Sequence, residues 1–384
     1  MSKINPENLA RLEARFFEDS GSLGAAVAVW QGGMELLSLV RGHRDRARTV
    51  PWTEETLVPV WSCTKGPAVA ATLSALEENG RTLAELVATI WPEFAQTGKE
   101  TITIGQLLSH QAGLAALDDP PSITDHQAVV RAIERQAPLW TTGHGYHPRT
   151  FGFLLEELVR RLTGAASLGD YWRESLAEPL GLDVWIGLPE SEHGRVASIY
   201  PGRNGEQSAI ERRFYEAFSD RASLSARAFG SPRGLHAVAD MNDPAVWSVG
   251  YPAMGGLASA QGLAVFYAFL AKGGSCAGEY FFSECMIETM ETTLAQGPDQ
   301  VLLRETAFAA GFMKDPVGPD GLKQPHALFG PNIRAFGHPG AGGSLAFADP
   351  ETGIGFAYVM NQMDRSVFPA EKTLALVSCL YSNE

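Results

Sequence analysis

Trp61-Ser62-Cys63-Thr64-Lys65-Gly66 carries a Ser-x-x-Lys pattern at the mouth of a helical run. The run continues through Pro67, Ala68, Val69, Ala71, Leu73 and Leu76 to Asn79-Gly80, a C-terminal stop signal. Residues three apart on a helix share a face, so the Lys65 amine can reach the Ser62 hydroxyl. A serine hydroxyl is a poor nucleophile until a base takes its proton. A lysine can be that base only if its pKa falls, which burial and a nearby positive charge or dipole bring about. The first turn of a helix supplies such a dipole. The pattern therefore predicts an activated serine, provided the rest of the chain supplies its partners.

The whole chain sets the bounds. It has 384 residues, 45% hydrophobic and 19% charged, enough for a large core or two subdomains. A formal net charge of −14 argues against nucleic acid or an anionic membrane as partner. No apolar run approaches the ~20 residues needed to span a bilayer. The polar start, Met1 to Asn8, lacks a signal-peptide apolar region, so a cytoplasmic location is expected. Cys63, Cys276, Cys285 and Cys379 show no metal or redox spacing, and four reduced thiols are expected. With no His/Asp/Glu ligand cluster at helical spacing, neither a metal nor another cofactor is expected.

Secondary-structure signals run in a clear order. Asn5-Pro6 starts a helix with Leu9, Leu12 and Phe16 on one face. Ala25 to Trp30 and Met34 to Val40 read as strands joined at Gln31-Gly32-Gly33, a hairpin signal. Leu57 to Trp61 is a third short strand feeding Ser62. The middle is helical, with Phe151, Leu155, Leu158 and Leu162 on one face of a helix ending at Thr163-Gly164. Tyr200 to about Ser248 reads as an irregular, lid-like insertion. Leu263 to Leu270 is another helix. Strands return at Ser344–Ala348 and Ile354–Met360, and a last helix spans about Pro369 to Tyr381. The expected architecture is α/β (α+β): one antiparallel sheet built from both termini, flanked by helices, plus a helical subdomain, with the site in the crevice between. The expected boundaries are 1–80 with 250–384 for the α/β part and 81–249 for the helical part.

Two further constellations suit a crevice. Gly143-His144-Gly145-Tyr146-His147-Pro148 presents a tyrosine on a loop. A phenol is a poor base unless a cation lies close, and Lys65 could be that cation. Phe336-Gly337-His338-Pro339-Gly340-Ala341-Gly342-Gly343-Ser344 leads into a strand. Its glycines let backbone approach a ligand, and its N–H groups could complete an oxyanion hole.

These three motifs, in this order and spacing, resemble the serine β-lactamase and penicillin-binding protein superfamily, and within it the class C-like branch that holds the family VIII carboxylesterases. Leu107-Leu108-Ser109-His110-Gln111-Ala112-Gly113-Leu114 is similar to a secondary signature of that family, and the resemblance spans about residues 20 to 362. It implies the β-lactamase/transpeptidase-like fold and an acyl-enzyme on Ser62. Lys65 and Tyr146 would move the proton, with Tyr146 as general base. The backbone N–H groups of Ser62 and Ala341 would form the oxyanion hole. His338, Gly340 and His147 would meet the substrate.

Departures from the family pattern set the substrate expectation. His338 stands where a fixed cation would bind a β-lactam carboxylate, and Pro339 has no hydroxyl. Pro148 stands where β-lactamases have an asparagine. The expectation is a serine carboxylesterase acting on a small, uncharged ester, with no nucleic acid or membrane partner and homo-oligomerisation open. Acyl transfer from the same intermediate, β-lactamase or D-aminopeptidase-type amide hydrolysis, and a non-catalytic binding protein on this fold are the alternatives. An α/β-hydrolase is disfavoured by the lack of a Gly-x-Ser-x-Gly elbow. Pro67 is expected to kink the Ser62 helix. Met254 and Ser259 have no assigned role.

Overall fold

The turn at Gly32-Gly33 takes positive φ at both residues, +61° and +86°, and folds Gly24–Gln31 back on Met34–Gly42 as a hairpin. This is the turn chemistry that matches the right-handed twist of the flanking strands. The computed structural model describes residues 4–18, 23–202, 209–323, 327–368 and 371–381.

The hairpin forms one edge of an eight-stranded antiparallel sheet. From that edge the order is Met34–Gly42, Gly24–Gln31, Ile354–Met360, Leu345–Asp349, Phe336–Pro339, Met313–Lys314, Glu305–Phe308 and Ala295–Pro298. N-terminal strand therefore pairs with C-terminal strand, Ala25 opposite Met360 and Val27 opposite Tyr358. The Gly24–Gln31 and Ile354–Met360 strands are buried on nearly every residue, so both sheet faces are covered. Ala260–Ala271 packs across one face. The Pro6–Glu18 and Glu371–Tyr381 helices pack together, joined where Asn8 Nδ2 donates to Leu380 O at 2.8 Å. The Asn5 side chain caps the first helix, accepting from Glu7 N.

The helix after Ser62, Lys65–Glu78, is buried from Lys65 to Leu76 on all sides. A helix apolar all round belongs at the centre of the protein. It packs against Thr150–Thr163 and Leu168–Trp172, placing its N-terminus beside the end of the Phe336–Pro339 strand.

Several expectations need correcting. Ser62 does not sit in an α-helix: Trp61–Thr64 is a single 3₁₀ turn, and the α-helix begins at Lys65. Pro67 falls in its first turn, where the missing N–H has no intrahelical partner to lose, and the helix runs on to Glu78. The Leu57–Trp61 run contributes only Val58–Pro59, which joins a small separate sheet with Leu257–Ala258 and Val184–Trp185. The 200–248 insertion holds helices at Ala209–Ser219 and Leu224–Gly230, the second capped by Ser223. Phe214 there packs with Phe218, Phe229 and Phe368, so aromatic burial rather than long periodicity orders the segment. Residues 203–208 of that insertion and Pro369 lie outside the described residues. The three short strands between 295 and 314 were not expected at all. No helix among the described residues is long and apolar enough to cross a membrane.

Candidate active site

Trp61 has φ +49°, the left-handed region that costs a bulky residue about 1–3 kcal/mol. This sharp turn, carried straight into the 3₁₀ turn, presents Ser62. Its frame is fixed from behind. Val60 N donates to Gly256 O at 3.0 Å, and Gly256 N donates to Thr64 Oγ1 at 2.9 Å. Cys63, fully buried, donates its thiol to His338 O at 3.2 Å, tying the turn to the end of the third-motif strand. Burial pushes that thiol's pKa up, so Cys63 is a packing group rather than a second nucleophile.

Ser62 Oγ stands between two groups. Tyr146 O–H donates to it at 2.9 Å, and Lys65 Nζ lies 3.3 Å away. Lys65 is fully buried, and Nζ donates to Pro148 O at 2.9 Å and Ala253 O at 2.7 Å. Two carbonyls thus take two N–H groups, and another tetrahedral vertex of the nitrogen is aimed at Ser62. Burial holds the Lys65 pKa well below the ordinary lysine value. In its neutral form the amine turns its lone pair, not a proton, toward Oγ. Burial also drives the Tyr146 phenol above its ordinary pKa, with the Ser62 hydrogen bond acting the other way. Lys65 Nζ sits 4.9 Å from the Tyr146 ring centroid, so the two groups meet mainly through Ser62.

Tyr146 is placed by a network that sequence motifs did not reveal. The buried Asp299 carboxylate accepts from Tyr146 N at 3.0 and 3.1 Å, and from Val301 N and Leu302 N at 2.8 Å each. It also accepts from Thr306 Oγ1 at 3.0 Å. That hydroxyl's single proton being spent, His144 Nε2, 2.8 Å from Thr306 Oγ1, must be the donor to it. His110, from the Leu107–Leu114 signature, packs its ring against Tyr146, Phe151 and Phe308 and accepts from His147 N at 3.2 Å. The only local signal for this region was the short Thr306–Phe308 run, too brief to read as a strand.

The third motif divides in the structure. His338 lines the Ser62 cavity, is 1% exposed, and its ring lies 5.7 Å from that of Tyr146. Its Nδ1–H donates to Pro339 O at 2.7 Å, leaving Nε2 as an acceptor with no partner among the described residues. Burial lowers its pKa to about 3, so it is neutral at physiological pH. Ala341 lines the cavity too, between Gly340 and Gly342, whose amides donate to Ser344 O and Ser366 O.

Two residues expected at the substrate are not brought there. Gly340 is a close-approach position: a Cβ would stand 2.4 Å from Val60 O and 3.3 Å from Cys63 Sγ. His147 is fully buried away from the cavity. Its Nδ1–H donates to Gly145 O at 2.7 Å and its Nε2 accepts from Leu114 N at 2.9 Å. With both ring nitrogens bonded to backbone, it shapes the Tyr146 loop instead.

The cavity above Ser62 is lined by Ser62, Tyr146, His338 and Ala341 together with a largely apolar wall. A serine flanked by an amine and a phenol in a pocket can attack an acyl carbon and pass its proton to a neighbour.

Comparison with known proteins supports the same grouping. The Beta-lactamase family model matches residues 9–378. The chain is 32% identical over 348 residues to the "Esterase/beta-lactamase LipL" of Mycobacterium tuberculosis, covering 88% of this chain and 77% of that protein. A solved family VIII carboxylesterase is 31% identical with a TM-score of 0.84, over 99% of this chain and 98% of the other. A penicillin-binding protein homologue from Caulobacter crescentus is 36% identical with a TM-score of 0.82, over 99% and 98%.

Proposed function

Because the chain belongs to the beta-lactamase family, we propose that it hydrolyses carboxylic esters through a covalent acyl-enzyme on Ser62. The observation that carries this reading is the convergence of Tyr146 O–H and Lys65 Nζ on Ser62 Oγ at 2.9 and 3.3 Å. As Oγ attacks the ester carbonyl carbon, its proton passes to the Lys65 lone pair. The carbonyl π pair moves onto oxygen, where the N–H groups of Ser62 and Ala341 hold it. Collapse expels the alcohol oxygen, which takes its proton from Tyr146, and the Lys65 ammonium restores that proton. Water then repeats the sequence on the acyl-enzyme.

Lys65, rather than Tyr146, is the first base in this reading. The amine–phenol pair and the ammonium–phenolate pair contain the same number of protons, and burial favours the uncharged pair. The directions of both pKa shifts agree with that choice.

Esters are favoured over β-lactams because His338 brings no fixed charge and Pro339 no hydroxyl to the third motif. A p-nitrophenyl short-chain ester should give a burst of nitrophenol equal to the enzyme concentration, with an acyl adduct on Ser62 by mass spectrometry. No burst and no adduct overturns the reading. Equal catalytic efficiency on a chromogenic cephalosporin overturns the preference for esters.

A further inference from the structure

The same cavity holds a cation that no motif singled out. Arg304 lines it alongside Ser62. Its guanidinium lies over the Phe368 ring, 5.0 Å from the centroid. Among the described residues that guanidinium makes no hydrogen bond and no salt bridge. Asp315, Glu211 and Asp299 act on it only from further away. A guanidinium stacked on an aromatic face is held by the ring while its in-plane N–H groups stay open at the edge, where a carboxylate binds with two parallel hydrogen bonds.

The neighbouring charges leave this cation available. Asp315 is spoken for: it pairs with Lys323 at 2.8 Å and accepts from Leu328 N and Phe329 N. Glu305 is exposed and forms no ion pair with Arg304 among the described residues. Lys314, 3% exposed on the same wall, donates to Arg334 O and Ala335 O at 3.2 and 3.3 Å and adds a second positive charge. Phe229, Leu302, Met313, Leu328 and Val367 supply apolar lining. Apolar wall plus an unpaired guanidinium describes a substrate with a hydrocarbon spacer and an anionic end.

Resting on the ester-hydrolase reading above, we propose that Arg304 is a specificity-determining residue that binds a carboxylate carried by the ester at a position remote from the scissile bond. The expectation of an uncharged substrate is thereby narrowed to the third motif. Charge recognition in this chain has moved from the His338 position to Arg304.

The test uses two ester pairs, one with the carboxylate on the acyl side and one with it on the alcohol side. The first is mono-p-nitrophenyl glutarate against its methyl-capped counterpart. The second is 5-acetoxypentanoate against its methyl ester. In the wild type, kcat/KM for the free carboxylate should exceed that for the capped ester about tenfold or more in at least one pair. Arg304→Gln should bring that ratio toward one, and Arg304→Lys should keep part of it. Wild-type turnover of the capped esters with no preference for a free carboxylate in either pair overturns the Arg304 assignment and leaves ester hydrolysis standing. A preference that survives Arg304→Gln also overturns it. Failure to turn over any of the four esters, with no adduct on Ser62, overturns both readings together.

Discussion

The ε-amine of Lys65 donates to the carbonyl oxygen of Ala253 at 2.7 Å, a partner 188 residues away. With Pro148 O this contact consumes the amine's donors and orients what remains toward Ser62. Lys65→Ala should therefore lower kcat/KM by about 10³-fold, and Tyr146→Phe by about 10²-fold, the range for loss of a positioned proton-transfer group. Stopped-flow acylation rates check both. Single-turnover rates close to wild type in Lys65→Ala would remove it as the base.

The pH dependence has a defined sign. Lys65 must be unprotonated to accept the serine proton, and burial has lowered its pKa. The acylation rate should fall as pH drops through that lowered value, because the ammonium has no lone pair. His338, already neutral down to about pH 3, should add no limb of its own. A pH–rate profile of His338→Gln keeping the wild-type acidic limb checks the assignment. Loss of that limb would transfer it to His338.

Stability should weaken in mild acid. His147 and His338 are both buried, and burial lowers each pKa to about 3. Between that value and the unfolded histidine pKa near 6.5, the unfolded chain binds protons that the folded chain refuses, so stability falls as pH falls. From pH 7 to pH 5 the loss is about 2 kcal/mol per residue, about 4 kcal/mol for the pair. Urea unfolding at the two pH values measures it. An unfolding free energy unchanged over that interval would contradict neutral burial of these rings.

Gly340 stands where a methyl group meets Val60 O at 2.4 Å. Gly340→Ala should push the Ser62 turn away from the third-motif strand, costing about 1–3 kcal/mol of stability and about 10²-fold or more in kcat. Thermal unfolding and steady-state kinetics report the two effects separately. Wild-type kinetics in this variant would mean the turn tolerates displacement.

Asp299 holds the Tyr146 loop through its backbone amide, with three further donors on the same carboxylate. Asp299→Ala leaves those donors buried and unpaired, a cost of about 3 kcal/mol or more. The milder Asp299→Asn keeps the shape, and should lower kcat with little change in KM because it moves a proton-transfer group rather than the pocket. A pure KM effect would point to a different role.

How far the sequence reached is clearest at Ser62 and Lys65. Their spacing of three was readable because one helical turn fixes it, and although Ser62 lies in a 3₁₀ turn, that geometry also brings residues three apart together. The terminal hairpin strands were readable as two strand-like runs joined at Gln31-Gly32-Gly33. The strands at 295–314 were not, because segments of two to four residues carry too little periodicity. The helices of the 200–248 insertion were missed for a related reason: they are short and stabilised by aromatic contacts to a distant segment.

By itself, then, the sequence determined that Ser62, Lys65 and Tyr146 stand in a pattern shared with one family, because motif spacing and turn chemistry are local properties. Only the tertiary structure decided which groups surround them. Burial depth lowered the Lys65 and His338 pKa values, carbonyls from 148 and 253 aimed the amine, Asp299 placed Tyr146, and Arg304 entered the cavity. Desolvation and hydrogen-bond partnership depend on residues far apart in the chain, so they come into being only when the sheet closes over the central helix.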